Sequence, residues 1–204
     1  MPRHVPGSRR GLLLASASPR RRALLASLGL SVDVLAVNVD ERPLPGEEAA
    51  VTALRLAHAK ALAARGAADG RPVLAADTIV LVDDALLGKP RDADEARAML
   101  RRLSGCWHEV LTGVALALPD GRVLEALART AVRFAALDEE EIERYTAGSE
   151  PYDKAGGYAL QGTAAWFVEE VRGSVTNVVG LPLEEVRRLF RKAGLPVPPL
   201  RESV

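Results

Sequence analysis

Hydrophobic and polar positions along this chain change period repeatedly, and the changes divide it into alternating strands and helices. Leu12–Ala15 is a short continuous apolar run and predicts a first strand. Spacing then turns helical over Arg20–Leu28, with Leu24, Leu25 and Leu28 on one face. Ser18 suits the N-cap of that helix, and Pro19 its first position, where a missing N–H costs nothing. Ser31–Val39 alternates valines with other residues and predicts a second strand. Pro43–Pro45 break the chain, and Glu47–Arg65 is an alanine-rich helix opened by acidic residues. Val73–Val82 predicts a longer apolar strand, which Asp83–Asp84 turns as a hairpin that returns through Ala85–Gly88.

The second half continues the alternation. Asp92–Leu103 carries a helical stripe of Ala96, Met99, Leu100 and Leu103. Two long strand-like segments, Glu109–Leu118 and Arg122–Phe134, flank the turn Pro119-Asp120-Gly121. A short acidic helix over Asp138–Tyr145, a glycine-rich loop at Lys154–Gly162, a strand at Ala164–Val171 and a last helix over Leu183–Lys192 follow. The pattern predicts an α/β fold with a mixed, largely antiparallel central sheet flanked by helices. Residues 1–10 read as a flexible tail, 11–195 as a single domain, and the proline-rich 196–204 as a loose tail.

Composition narrows this picture. The 204 residues are 48% hydrophobic but only 4% aromatic, so Ala, Leu and Val must build the core. Lys+Arg and Asp+Glu are both 27, so no global field points to nucleic acid or a membrane surface, and any anion site must be local. The one cysteine, Cys106, excludes an internal disulfide and a cysteine-rich metal site. No segment near the N-terminus has the apolar length of a signal peptide or a membrane span, so the expected place is the cytoplasm.

Candidate chemistry begins at Ser16-Ala17-Ser18-Pro19-Arg20-Arg21-Arg22, where a strand runs into a helix start carrying hydroxyls and guanidinium groups. Free N–H groups at such an end seat phosphate. Arginines oppose the usual preference for anions in a first turn, and a bound anion would offset that cost. Taken alone, the three arginines read rather as a solvated basic helix start, since arginine is common on surfaces. Asp77 and Thr78 lie inside the apolar run Val73–Val80, where a carboxylate must be paired, coordinated or bonded to backbone. A two-residue turn at Asp83–Asp84 pairs Val82 with Ala85 and sets Lys89 opposite Thr78; one more loop residue sets it opposite Asp77. Either register brings an ammonium beside the carboxylate, as a metal-phosphate site or as a plain ion pair.

Asp40 and Glu41 point to opposite sides of an extended chain, so only one can line a given cleft. Lys60, among Leu56, Ala57, Ala61 and Leu62, reads by itself as a snorkelling surface lysine. In Glu150-Pro-Tyr-Asp-Lys-Ala-Gly-Gly-Tyr-Ala-Leu-Gln-Gly162, Gly156–Gly157 allow close ligand approach, Lys154 brings charge, and the Gln161 amide both donates and accepts. Thr176–Pro182 reads as an architectural turn between a strand and the last helix. His58 and His108 have no metal-ligand spacing, Cys106 has no evident base, and no phosphate-binding P-loop motif occurs.

Several blocks, in order and spacing, resemble the Maf family of nucleotide pyrophosphatases: Ser16-Ala17-Ser18-Pro19-Arg20-Arg21, Asp40-Glu41, Ala59-Lys60-Ala61, Ala76-Asp77-Thr78, Gly88-Lys89-Pro90, Leu103-Ser104-Gly105, Asp153-Lys154-Ala155-Gly156 and Gln161-Gly162. They extend from about Leu13 to Leu183. Pro-Arg-Arg, Asp-Thr and the glutamine before Gly162 resemble the subgroup acting on dTTP and UTP.

The resemblance implies a two-lobed, inosine-triphosphatase-like fold around a cleft. It implies hydrolysis between the α- and β-phosphates, with Asp77, Glu41, Lys60 and Lys89 as catalytic residues. Ser16, Ser18, Arg20, Arg21, Thr78, Lys154 and Gln161 would bind substrate, and Glu41 and Asp77 would hold Mg²⁺ or Mn²⁺. Family likeness makes Asp77 the proton acceptor for the attacking water. A carboxylate of ordinary pKa, about 3.9, is a weak base at neutral pH, so orienting a metal-activated water is the other role open to it. The expected partner is a nucleoside triphosphate, with a homodimer expected by likeness and no stable nucleic-acid or membrane partner. Two other readings carry weight: the same chemistry on a purine or modified nucleotide, and a non-catalytic nucleotide-binding regulator of septum formation.

Overall fold

The computed structural model describes residues 11–198; the predicted tail at 1–10 and the end of the one at 196–204 lie outside them. Seven strands are present among the described residues: β1 (Leu12–Leu14), β2 (Val32–Val34), β3 (Val73–Val82), β4 (Ala85–Leu87), β5 (Trp107–Ala117), β6 (Val123–Phe134) and β7 (Val168–Arg172). The helices are α1 (Pro19–Ser27), α2 (Ala49–Ala64), α3 (Ala93–Leu103), α4 (Glu139–Thr146), α5 (Val175–Val179) and α6 (Leu183–Ala193). All strands join one sheet in the order β2-β1-β3-β5-β6-β7, with β4 also paired to β3. β1 runs parallel to β2 and β3, and the remaining pairs are antiparallel. This is the expected mixed, mainly antiparallel sheet.

Local chemistry explains the elements that match expectation. Asp83 and Asp84 both adopt left-handed backbone, φ 45° and 60°. Two such corners make the hairpin turn whose twist suits its strands. Val82 pairs with Ala85, the two-residue register, though the ladder ends at Leu87, before Lys89. Asp92 caps α3 by accepting the Glu95 N–H at 2.8 Å, and Ala96, Met99, Leu100 and Leu103 are its buried face. A cap of this kind stabilises by about 1 kcal/mol. Asp138 and Glu141 form a reciprocal capping box on α4.

Three expectations need correction. The second strand shrinks from Ser31–Val39 to Val32–Val34, because its sole neighbour β1 offers only three residues; the chain then runs on without strand pairing to Glu41. The strand expected at Ala164–Val171 starts only at Val168, since Thr163–Phe167 coils into a 3₁₀ turn. Residues 176–179 are helix rather than a strand end, with the Ser174 hydroxyl capping α5 through the Asn177 N–H.

β3 positions everything that follows. One of its edges pairs with β5 from Val73 to Leu81. On the other edge β1 reaches only Leu74 and β4 begins only at Val80. The edge between them opens into a cleft, and the core divides accordingly. One cluster (Val80, Leu100, Val132, Phe134, Ile142) packs at the far end of β3, and two others, centred on Leu14, Leu74 and Leu116 and on Ala57, Ala61 and Ala75, pack on opposite faces of the sheet at its near end. No helix among the described residues is long and apolar enough to cross a membrane.

His108 in β5 is 2% exposed, hydrogen-bonded through Nε2 to the Tyr158 hydroxyl at 2.8 Å and edge-on to Phe134. Burial pulls its pKa from 6.5 down to about 4. Above pH 6.5 the imidazole is neutral in the folded and unfolded chain alike. As pH falls from 6.5 towards 4 only the unfolded chain takes up the proton, so folding weakens by about 3 kcal/mol across that window. Urea midpoints at pH 7.5 and pH 5 are expected to differ in the wild type and to differ less in His108→Gln. Equal differences would remove His108 as the source.

Candidate active site

Successive residues of a strand face opposite sides of a sheet, and the open edge of β3 uses both. Asp77 shares the Ala75 face, covered by α2; Thr78 shares the Ala76 face, towards α1. Asp77 is 8% exposed. Its Oδ1 accepts a 2.5 Å hydrogen bond from Nζ of Lys60, which α2 delivers from its buried face. The same ammonium lies 2.5 Å from Oε1 of Glu41, which the chain after β2 brings over. Lys60 is therefore no snorkelling lysine but the centre of a carboxylate–ammonium–carboxylate bridge. Burial works against the charge on Glu41, yet the Lys60 hydrogen bond, with the charges of Lys60, Lys89 and Arg21, leaves its pKa below the ordinary value.

On the other face, Arg21 spends its guanidinium on the protein. Nε donates to the Gly180 carbonyl at 2.7 Å, Nη1 to Ser16 Oγ at 3.1 Å and Nη2 to Thr78 Oγ1 at 3.0 Å. Burial draws its pKa down while the Asp77 charge opposes the change; the group stays cationic. Thr78 also meets Thr112 Oγ1 at 3.0 Å. Ser16 accepts the Ser18 N–H at 3.2 Å, and the Ser18 hydroxyl makes no capping bond on α1. Arg22 is exposed, as a solvated cation should be.

All of these except Thr112 and Arg22 line one cleft of about 620 Å³, together with Arg20, Lys89, Lys154 and Gln161. Arg20 reaches Asp153 at 3.2 Å, and Asp153 also pairs with Lys154, whose Nζ donates to the Glu150 carbonyl at 2.5 Å. Lys89 is exposed at the end of the hairpin. The cleft thus gathers every residue expected to be catalytic or to bind substrate. Sequence reasoning missed Gly180, Thr112 and Asp153. Gly180 lies in the turn read as purely architectural, yet its carbonyl anchors Arg21. Asp153 stood within a quoted motif, while Thr112 is visible only through the β3–β5 register, where it pairs with Thr78.

Glu41 Oε1 and Asp77 Oδ1 converge on the Lys60 ammonium, so the oxygens left to a hard cation such as Mg²⁺ or Mn²⁺ would be the second oxygen of each carboxylate, with phosphate oxygens completing the shell. No cluster of three or more His, Cys, Asp or Glu that could hold a metal occurs among the described residues.

The mixed sheet with its flanking helices defines an α/β protein with a fold of the kind seen in the Staphylococcus aureus Ham1 protein. That structure aligns with a TM-score of 0.50 at 11% identity, over 90% of this chain and 99% of its own. The Maf-like protein family matches residues 11–193, and the chain belongs to that family. A dTTP/UTP pyrophosphatase of Anaeromyxobacter dehalogenans is 54% identical over 190 residues, 92% of this chain and 96% of that protein. Another, from Hahella chejuensis, is 50% identical over 196 residues, 94% of this chain and 96% of that protein.

Proposed function

We propose that this protein hydrolyses dTTP and UTP between the α- and β-phosphates, releasing the nucleoside monophosphate and pyrophosphate and so clearing the nucleotide pool. The observation that carries the reading is the Glu41–Lys60–Asp77 bridge at the open edge of β3, ringed by Arg20, Lys89 and Lys154. Relatives that bear the dTTP/UTP pyrophosphatase name support the choice of substrate. The cytoplasm is the compartment this reading implies.

Phosphoryl transfer needs positioning and charge stabilisation more than covalent chemistry. Arg20, Lys89 and Lys154 spread positive charge along the triphosphate. Lys60 holds Asp77 through Oδ1, and Oδ2, which has no hydrogen bond among the described residues, is left to orient the attacking water or take its proton. Arg21 fixes Ser16, Thr78 and the Gly180 turn against one another, so its part is to set the wall on which substrate lies. Glu41 and Asp77 would hold Mg²⁺ or Mn²⁺, which when bound neutralises charge on the phosphates. Gln161 reads the base.

The test is to incubate the chain with Mg²⁺ or Mn²⁺ and a panel of dTTP, UTP, dCTP, ATP and 7-methyl-GTP, measuring pyrophosphate and orthophosphate separately. Pyrophosphate should come first, and mainly from dTTP and UTP. Orthophosphate as first product, or tight nucleotide binding with no release, would overturn the reading; release mainly from a purine or modified nucleotide would move the substrate class.

A further inference from the structure

The Glu150 carboxylate touches none of the side chains so far given a part in the chemistry, yet it is more fully engaged than most on the molecule. Oε2 accepts the Thr163 N–H at 2.9 Å, and Oε1 accepts the Ala164 N–H at 3.3 Å and the Tyr145 hydroxyl at 3.1 Å. Burial opposes its charge, but these bonds together leave its pKa below the ordinary carboxylate value.

The segment it grips carries Gln161. Gly162 N–H returns to the Ala159 carbonyl at 3.0 Å, which closes a turn with Leu160 and Gln161 at its corners. Directly after the turn, Thr163 and Ala164 are the residues tied to Glu150. The carboxylate also lies hard against Gly162, where an added Cβ would come 2.3 Å from Oε1 and 2.6 Å from Oε2. Gly162 has φ −118°, an ordinary backbone angle, so the glycine is there for space and not for conformation. Through its main chain the same residue accepts the Lys154 ammonium at 2.5 Å. Glu150 therefore joins two cleft-lining groups, Lys154 through its carbonyl and the Gln161 turn through its carboxylate, and anchors both to α4 through Tyr145.

We propose that Glu150 is a specificity-positioning residue: its carboxylate, wedged behind Gly162, fixes the turn that presents Gln161 to the nucleobase and thereby sets the preference among pyrimidine nucleotides. This rests on the reading of the cleft as a nucleoside triphosphate site in which Gln161 reads the base. Released from Glu150, the turn would still carry an amide, but one free to wander among poses, and the cost falls on recognition. A side-chain amide held in one pose rejects a base with the wrong donor pattern; a loose one accommodates it.

The experiment compares Glu150→Ala, Glu150→Gln and Gly162→Ala with the wild type, by kcat and KM for dTTP and dCTP. Glu150→Ala should raise KM for dTTP about tenfold and erode the dTTP-over-dCTP preference about tenfold, with kcat for dTTP within about threefold. Gly162→Ala, which drives the carboxylate out, should do the same. Glu150→Gln, which keeps the shape and one acceptor, should fall between. Because Glu150 acts through Gln161, adding Glu150→Ala to Gln161→Ala should change the preference no further.

Unaltered preference in Glu150→Ala or Gly162→Ala would overturn the proposal, as would a further loss in the double variant. So would a Glu150→Ala chain that does not fold beside a Glu150→Gln chain that discriminates like the wild type, since the role would then be structural. A wild type that releases no pyrophosphate from any pyrimidine nucleotide would sink the functional reading itself, and with it this one. A wild type that discriminates beside a Glu150→Ala that discriminates equally would sink this one alone.

Discussion

Asp77→Asn is expected to lower kcat for pyrophosphate release from dTTP by about 10²–10⁴-fold, the span lost when a positioned acid–base group is removed. The substitution keeps the shape of the side chain and takes away only its charge and basicity. Stripping one partner from a buried ion pair ordinarily costs about 3–5 kcal/mol, because the other charge is left uncompensated. Lys60 escapes that fate. Its ammonium keeps Glu41 at 2.5 Å, and the asparagine carbonyl can still accept from it. Folding should therefore survive, with a melting temperature within several degrees of the wild type. Thermal unfolding and single-substrate kinetics on one preparation check both halves. Turnover within tenfold of the wild type in a folded variant would remove Asp77 from the chemistry.

Gly113→Ala should damage both folding and turnover. Gly113 pairs with Asp77 across β3 and β5, and α2 crosses it so closely that an added Cβ would lie 2.3 Å from the Ala53 carbonyl oxygen, 2.5 Å from its carbon and 2.7 Å from the Leu54 nitrogen. All three are backbone atoms, so no rotamer can relieve the clash. The helix itself must retreat, at the upper end of the about 1–3 kcal/mol that overpacking costs. Lys60 lies seven residues further along α2, about two turns on the same face. A retreat on the order of 1 Å lifts its ammonium from Asp77, and misplacement of that size costs about 10²-fold in rate. The expected result is a lowered urea midpoint together with lowered kcat. A variant that keeps both would show that α2 does not set the Lys60–Asp77 contact.

What could be read from the chain was what its local chemistry determines. The Asp83–Asp84 hairpin, β3 itself, the Asp92-capped α3 and the Asp138-capped α4 all carry their signals within a few residues. α5 does not. Its Val-Thr-Asn-Val-Val run is β-branched and poor in helix preference, and tertiary support overrides that. Thr163–Phe167 was hidden for the opposite reason, because an apolar run of this length reads equally as a strand. It coils instead and leaves Trp166 85% exposed.

The candidate site divides the same way. Its residues were legible as short motifs resembling a family, whereas their contacts were not. Arg21 and Gly180 are 159 positions apart, and no periodicity announces that one will hold the other. Lys60 looked like a surface lysine because nothing near it in sequence supplies the two carboxylates that hold it. Glu150 gave no signal, since its partners Thr163 and Ala164 are reached only through the fold of the intervening turn.

The two ends of the cleft are built from materials of different stiffness. Asp77 belongs to a ladder that runs unbroken from Val73 to Leu81 against β5, so its amide should exchange with solvent only when the sheet opens as a whole. Gln161 rides on a turn secured by a single carboxylate, and its neighbourhood can open alone. On the proposed roles of Asp77 and Gln161, rate and taste are thereby uncoupled. Substitutions around Glu150, Leu160 and Gly162 can retune which nucleotide is accepted while the sheet beneath keeps cutting as before.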